Sequence, residues 1–255
     1  MSLREKGLQR RAERALERQL DYQREKAAGV RGREQSVVAA MIAHSADVRQ
    51  KIERVRSIPA DARVLEVGSG AHGLIFYFGA TDGVGVDPLA DHYSELFPAW
   101  QDRARTIAAP GERLPFAGAS FDVVLCDNVV DHAENPRRIL EEIARVMAPG
   151  ALLYFEVNIH HPFYHVAATT HAGWRALGIP FEITPFADHT VHLTLEAARD
   201  LFKGLPLHIL QESDDIAEVK REAPRVRHIG DRLKRLFFKN AKYEAVAVRE
   251  PTGAA

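Results

Sequence analysis

The stretch VLEVGSGAHG, Val64 to Gly73, sets an acid, Glu66, two residues ahead of three glycines, Gly68, Gly70 and Gly73. Glycine takes positive φ without steric cost and lets a ligand come close to the backbone. A helix starting behind such a turn would add unpaired N–H groups and partial positive charge, so the turn suits an anionic or nucleoside-bearing small molecule. Gly68, Ser69 and Gly70 offer close backbone contact, and Glu66 beneath them can hold backbone N–H groups or favour a cationic ligand group. Further on, GVGVDP ends in Asp87 and Pro88. A carboxylate at a strand end can accept both hydroxyls of a ribose diol.

A second concentration of chemistry lies between Asn158 and His192. It holds His160, His161, His165, His171, His189 and His192, half of the 12 histidines, with Phe163, Tyr164, Trp174, Phe181 and Phe186 among them. Imidazole titrates near neutrality and serves as a general base. His132, with Asp131 beside it as an orienting carboxylate, joins His160, His161 and His165 as candidate bases. Asp188, His189 and His192 also form a D-H-x-x-H run, and His161 and His165 could share a helical face. Such spacing binds a divalent ion only with a fixed third ligand, and no cysteine pair supplies one, so no metal is assigned.

These groups need elements to carry them. Leu8, Ala12, Ala15, Leu16 and Leu20 fall at helical spacing within Leu3 to Lys26, and a second helical pattern runs from Val37 to Val55, ending before Pro59. Residues 1–58 therefore read as a helical cap, and 59–255 as the main domain. From Arg63 short apolar runs alternate with helical patterns, which predicts repeated βα units and a mainly parallel sheet. Strands are expected at Arg63–Val67, Gly83–Val86, Arg105–Ala108, Phe121–Cys126, Ala151–Val157, Leu207–Gln211 and Tyr243–Val248. Helices are expected at His72–Phe78, Asp91–Asp102, Asn135–Met147 and Thr194–Phe202, the third stopped by Pro149-Gly150. The segment at about 159–192 reads as an insertion after the fifth strand that could cover a bound small molecule.

Composition narrows the class. A net charge of −1 over 255 residues argues against a general nucleic-acid binder, and the basic stretch Lys220 to Lys242 reads first as a solvated helix face, with a phosphate group or RNA as the alternatives. A single cysteine, Cys126, rules out a disulfide within the chain and fits a reducing compartment. No apolar run reaches bilayer length, and the expectation is a cytoplasmic protein.

In this order the motifs resemble the class I S-adenosylmethionine-dependent methyltransferases, in their small-molecule, type 11-like branch, over roughly residues 60 to 158. VLEVGSGAHG is similar to the family's first motif, GVGVDP to its second strand, ERLPFAGASFDVVLC to the approach to its fourth, and IARVMAPGALLYFEV to its helix, turn and fifth strand. The resemblance implies a Rossmann-like, mostly parallel seven-stranded sheet flanked by helices. It implies S-adenosylmethionine as cofactor, S-adenosylhomocysteine as product and a small-molecule acceptor, with an oxygen nucleophile expected. By the same resemblance the cofactor falls to Glu66, Gly68, Ser69, Gly70, Gly73, Asp87 and Pro88. Asp127, Asn128 and Val129 follow the fourth strand, and His132 stands where the family often has an aromatic or a histidine. The family's adenine-reading acid aligns with Pro110, which leaves Glu112, Arg113 and Leu114 to take that edge.

Two other classes remain open at this level. Gly68-x-Gly70-x-x-Gly73 followed by Asp87 also fits an NAD(P)-dependent oxidoreductase. A non-catalytic methyltransferase-like binding protein would use the N-terminal helices as a partner or homodimer contact.

Overall fold

The computed structural model describes residues 17, 19–80, 82–98, 105–133, 135–163, 191–222, 238 and 241–251. The chain divides into two compact units, residues 1–115 and 116–255. Among the described residues seven strands form a mixed sheet in the order β3-β2-β1-β4-β5-β7-β6, the doubly wound arrangement expected of the resemblance.

In the first unit, helices α1 (19–30) and α2 (Glu34–Val55) precede β1 (Arg63–Val67), β2 (Asp82–Val86), α3 (Ala90–Leu96) and β3 (Arg105–Ile107). β1 pairs parallel with β2, and β2 with β3. The continuous apolar run of β1 is buried along Val64–Val67, as a strand covered on both faces requires. The helix expected at His72–Phe78 is only a single turn of 3-10 helix, Leu74–Phe76. The Tyr77 N–H closes on the Leu74 carbonyl, and Gly79 at φ +77° turns the chain away. Arg49 from α2 takes the Phe78 carbonyl at 2.7 Å, which secures that exit.

The second unit holds β4 (Phe121–Asp127), α4 (Pro136–Val146), β5 (Met147–Ile159), α5 (Leu195–Asp200), β6 (Leu207–Asp214), α6 (Ile216–Glu222) and β7 (Ala241–Arg249). β4 and β5 are parallel; β7 runs antiparallel to both β5 and β6. Cys126 is buried in the middle of this core. Helix α4 starts where Asn135 accepts the Arg138 N–H at 3.1 Å and Pro136 fills the first turn. Its inner stripe is Ile139, Leu140, Ile143 and Val146, and the one acid there, Glu142, is gripped by Arg138 and Arg145.

Pro149-Gly150 does not stop α4. The chain leaves the helix at Met147, already paired with Phe121, and β5 runs four residues earlier than the apolar pattern suggests. Gly150 at φ +81° lies in the stretch between Met147 and Leu152 that faces the register shift between Phe121 and Val123. A glycine there accommodates the irregularity that joins the two registers. Among the described residues no helix is long and apolar enough to cross a membrane.

Candidate functional site

The glycine turn is wired from inside. Gly68 and Ser69 both send their N–H groups to the Val86 carbonyl, at 2.7 and 3.1 Å, and Gly70 sends its own to Asp87 at 3.1 Å. Gly68 and Gly70 hold φ of +71° and +55°, which glycine adopts freely. All three N–H groups are therefore spent on the protein, so the turn presents little to an anion. A side chain at Gly70 would meet nothing within 4 Å, so the turn opens onto free space there. Ser69 Oγ is buried and makes no hydrogen bond among the described residues; it is stacked over Gly85, where a Cβ would approach it to 2.7 Å.

Beneath the turn, the buried Glu66 accepts the Leu74 and Ile75 N–H groups at 3.0 and 2.8 Å. It thus caps the 3-10 turn, the anchoring role its place in the motif suggested. Asp87 accepts from Gly70, from the Leu89 N–H at 2.9 Å and from the Tyr93 hydroxyl at 2.9 Å. Burial pushes its carboxyl above the usual range, against the pull of these three donors. Tyr93 is a partner that the sequence reading missed, although six residues after Asp87 is within reach of a helix begun at Ala90. Pro88 is exposed. At the adenine edge, Leu114 is buried, Glu112 half-buried and Arg113 exposed, with the Arg113 N–H closed onto the Pro110 carbonyl at 3.1 Å.

In the second unit the strand ends carry most of the polar groups. Asn128, just past β4, is left-handed at φ +55°; its N–H reaches the Glu156 carbonyl at 3.0 Å and its side-chain oxygen accepts from Asn158. A non-glycine residue in this conformation is held there by its surroundings, here by both bonds to β5. Asp127 lies beside Glu156 in register and is half-buried, as is Val129. Glu156 is buried with Lys242 Nζ at 2.9 Å and the Tyr154 hydroxyl at 3.4 Å. Burial first, then the Asp127 charge, raises its pKa, and Lys242 opposes them. Lys242→Met should therefore lower the unfolding temperature at pH about 8, with the gap to wild type closing as acid protonates Glu156. Thermal scans at several pH values check this; a gap independent of pH would show that the ion pair contributes nothing.

The histidines separate by burial. His160 is 2% exposed and its ring meets that of His192 edge-on at 5.0 Å. The His160 backbone N–H donates to the Leu193 carbonyl at 2.8 Å, while the Val191 backbone N–H donates to the Asp131 main-chain carbonyl at 3.1 Å, so residues 191–193 are stitched to both strand ends. Asp131 is fully buried; His132 beside it is 39% exposed at 3.8 Å. His161 accepts the Phe163 N–H at Nδ1 and lies edge-on to Phe238 at 5.3 Å. His165, His171 and His189 lie outside the described residues, and with them the candidate metal spacings.

A model of the methyltransferase domain matches residues 65–155. An uncharacterized methyltransferase of Mycobacterium sp. (strain JLS) is 35% identical over 105 residues, 40% of each chain. The thiol S-methyltransferase TMT1B of Homo sapiens is 38% identical over 60 residues, 23% of this chain and 25% of that one. The chain thus spans a quarter to a half of the length of these curated relatives. Among solved structures, the YcgJ protein of Bacillus subtilis overlays with a TM-score of 0.56 at 17% identity, covering 82% of this chain and 99% of that one. The geranyl diphosphate C-methyltransferase of Streptomyces coelicolor A3(2) gives 0.55 at 14% identity, covering 81% and 79%. At such identities these overlays speak for the fold. Residues 65–155 thus match the methyltransferase domain by sequence, and the sheet order is the fold that these solved structures share.

Proposed function

We propose that the protein transfers the methyl group of S-adenosylmethionine to a nucleophile on a small molecule, a hydroxyl oxygen being the first reading. The observation that carries this is the Asp87 carboxylate, fixed by Gly70, Leu89 and Tyr93 at the end of β2 beside a glycine turn that opens onto free space. Glu66, Gly68, Ser69, Gly70, Gly73, Asp87 and Pro88 form the cofactor cradle, with Glu112, Arg113 and Leu114 at its adenine edge. Bound there, the cofactor supplies a methyl carbon on a sulfonium and a neutral thioether as leaving group. The chain's own task is to orient the acceptor and, for an O–H or S–H nucleophile, to take its proton. His160, buried beside His192, and His132 on Asp131 are the groups assigned to that proton.

A thiol acceptor is the second reading. It is favoured by the thiol S-methyltransferase named among the relatives, and a thiol needs less help in losing its proton. Incubating the protein with methyl-labelled cofactor and paired phenol and thiol acceptors of equal size distinguishes the two. Label in neither, with the cofactor shown to bind, would leave a binding protein. His160→Gln should lower kcat for a phenol by about 100-fold or more, the usual scale for losing a general base, and flatten the acid limb of the pH profile. A folded variant with unchanged kcat would remove His160 from this role.

A further inference from the structure

Asn128 and Asn158 meet at the carboxyl ends of β4 and β5, the edge at which open α/β sheets bind ligands. Asn158 Nδ2 donates to Asn128 Oδ1. The Asn128 backbone is left-handed at φ +55°, and its N–H donates to the Glu156 carbonyl at 3.0 Å. Glycine takes this conformation without strain, so the turn alone has no need of an amide. What asparagine adds is a side chain, and β5 holds that side chain in one place. A residue kept in a sparsely populated conformation by its surroundings marks a site where position matters.

The bond between the two uses one function of each amide. A carboxamide has two N–H donors and a carbonyl with two lone pairs. Among the described residues neither side chain makes a second hydrogen bond, so the Asn128 amino group remains as a donor and the Asn158 carbonyl as an acceptor beside it. Exchanging oxygen and nitrogen in both amides gives the same result with the roles swapped. Asn128 is exposed and Asn158 half-buried, which leaves the pair open to a ligand. Charge narrows what that ligand is. Asp127, Glu156 and Glu244 stand abreast on β4, β5 and β7, with the Lys242 ammonium 2.9 Å from Glu156. Even with Glu156 protonated the sum there is not positive, so an anionic group is disfavoured. A carboxylate or a phosphate would also bring no donor for the Asn158 carbonyl.

We propose that the Asn128–Asn158 pair binds the methyl acceptor through a neutral group that carries a donor beside an acceptor, as a carboxamide does. This rests on the methyl-transfer reading above. Titration calorimetry of the protein loaded with S-adenosylhomocysteine, against para-hydroxybenzamide, para-hydroxyacetophenone and para-hydroxybenzoate, tests it. The ketone has the shape of the amide but a methyl group where the amide has its donor, and the benzoate is an anion. Wild type should bind the amide about tenfold tighter than the ketone, the scale of a hydrogen bond whose loss leaves a carbonyl unpaired, and the benzoate more weakly than the amide. In Asn158→Leu the preference for the amide over the ketone should vanish. Asn128→Gly, which suits φ +55°, should weaken amide and ketone together and keep the preference between them. Equal affinity of wild type for amide and ketone overturns the proposal, as does a preference that survives Asn158→Leu, undiminished amide binding by Asn128→Gly, or a benzoate bound tighter than the amide. Binding of none of the three by wild type that holds S-adenosylhomocysteine overturns it too. Wild type that fails to bind S-adenosylhomocysteine would instead overturn the cofactor reading itself.

Discussion

Asp87→Ala is expected to weaken S-adenosylhomocysteine binding by about 100-fold, the equivalent of roughly 3 kcal/mol for losing a charged hydrogen-bonding partner. The carboxylate does two jobs at once. It gathers the Gly70 N–H at 3.1 Å and the Leu89 N–H and Tyr93 hydroxyl at 2.9 Å, which ties the turn to the start of α3. On the proposed reading it is also the acceptor for the ribose diol. Tyr93→Phe removes only one of the three donors and should cost far less, so the pair of variants separates the carboxylate from its support. Undiminished affinity in Asp87→Ala would take Asp87 out of the ribose role.

The pH response of the same residue has a defined sign. Its pKa is raised in the folded protein, so protonated Asp87 favours the ligand-free fold, and that contribution is lost as pH rises through the raised value. Ligand binding should run the other way, because the diol needs the ionised form, and should weaken as pH falls through that value. Melting temperature and affinity measured between pH about 4 and about 7 should therefore change in opposite directions in wild type, with both slopes reduced in Asp87→Asn.

Gly73→Ala should cost about 3 kcal/mol of stability, the upper range for overpacking a closed site, or roughly 6 to 12 °C in melting temperature for a chain of this size. Gly73 φ is an ordinary −57°, so the reason is space and not backbone strain. A Cβ there would run into Glu66 Oε2 and reach 2.7 Å from the Ser69 carbonyl, and that backbone oxygen cannot move without the turn. Displacing Glu66 would also leave the Leu74 and Ile75 N–H groups without their buried acceptor. Differential scanning calorimetry checks this. A variant melting within a degree of wild type would mean that the turn is far softer than its packing indicates.

The strand pattern was readable because parallel strands covered on both faces are continuous apolar runs, and Arg63–Val67 forms with the bounds its composition suggests. The placement of Asp87 and Glu66 against the glycine turn was readable for a related reason: a strand end beside glycines confines what an acid there can touch. The short turn after Gly73 was not. Whether residues 72–78 continue as an α-helix depends on Glu66 capturing two N–H groups and on Gly79 closing the segment, and neither shows in local periodicity. The early start of β5 was hidden likewise, since Met147 joins the sheet through pairing with Phe121 ahead of a Pro-Gly pair that reads as a stop. Tyr93 took on meaning only through its bond to Asp87, and the contact of His192 with His160 shows only once the chain is folded. In α1 the conspicuous aromatic, Tyr22, faces solvent, and the amide next to it, Gln23, faces inward.

Cys126 is the chain's only thiol and is wholly enclosed in β4 between Leu125 and Asp127. A thiol-labelling reagent can reach it only when the strand around it opens, so the labelling rate becomes a clock for breathing of the second unit's core. Read with and without acceptor, that clock separates a ligand that tightens the sheet from one that merely sits at its edge, and it needs no engineered probe.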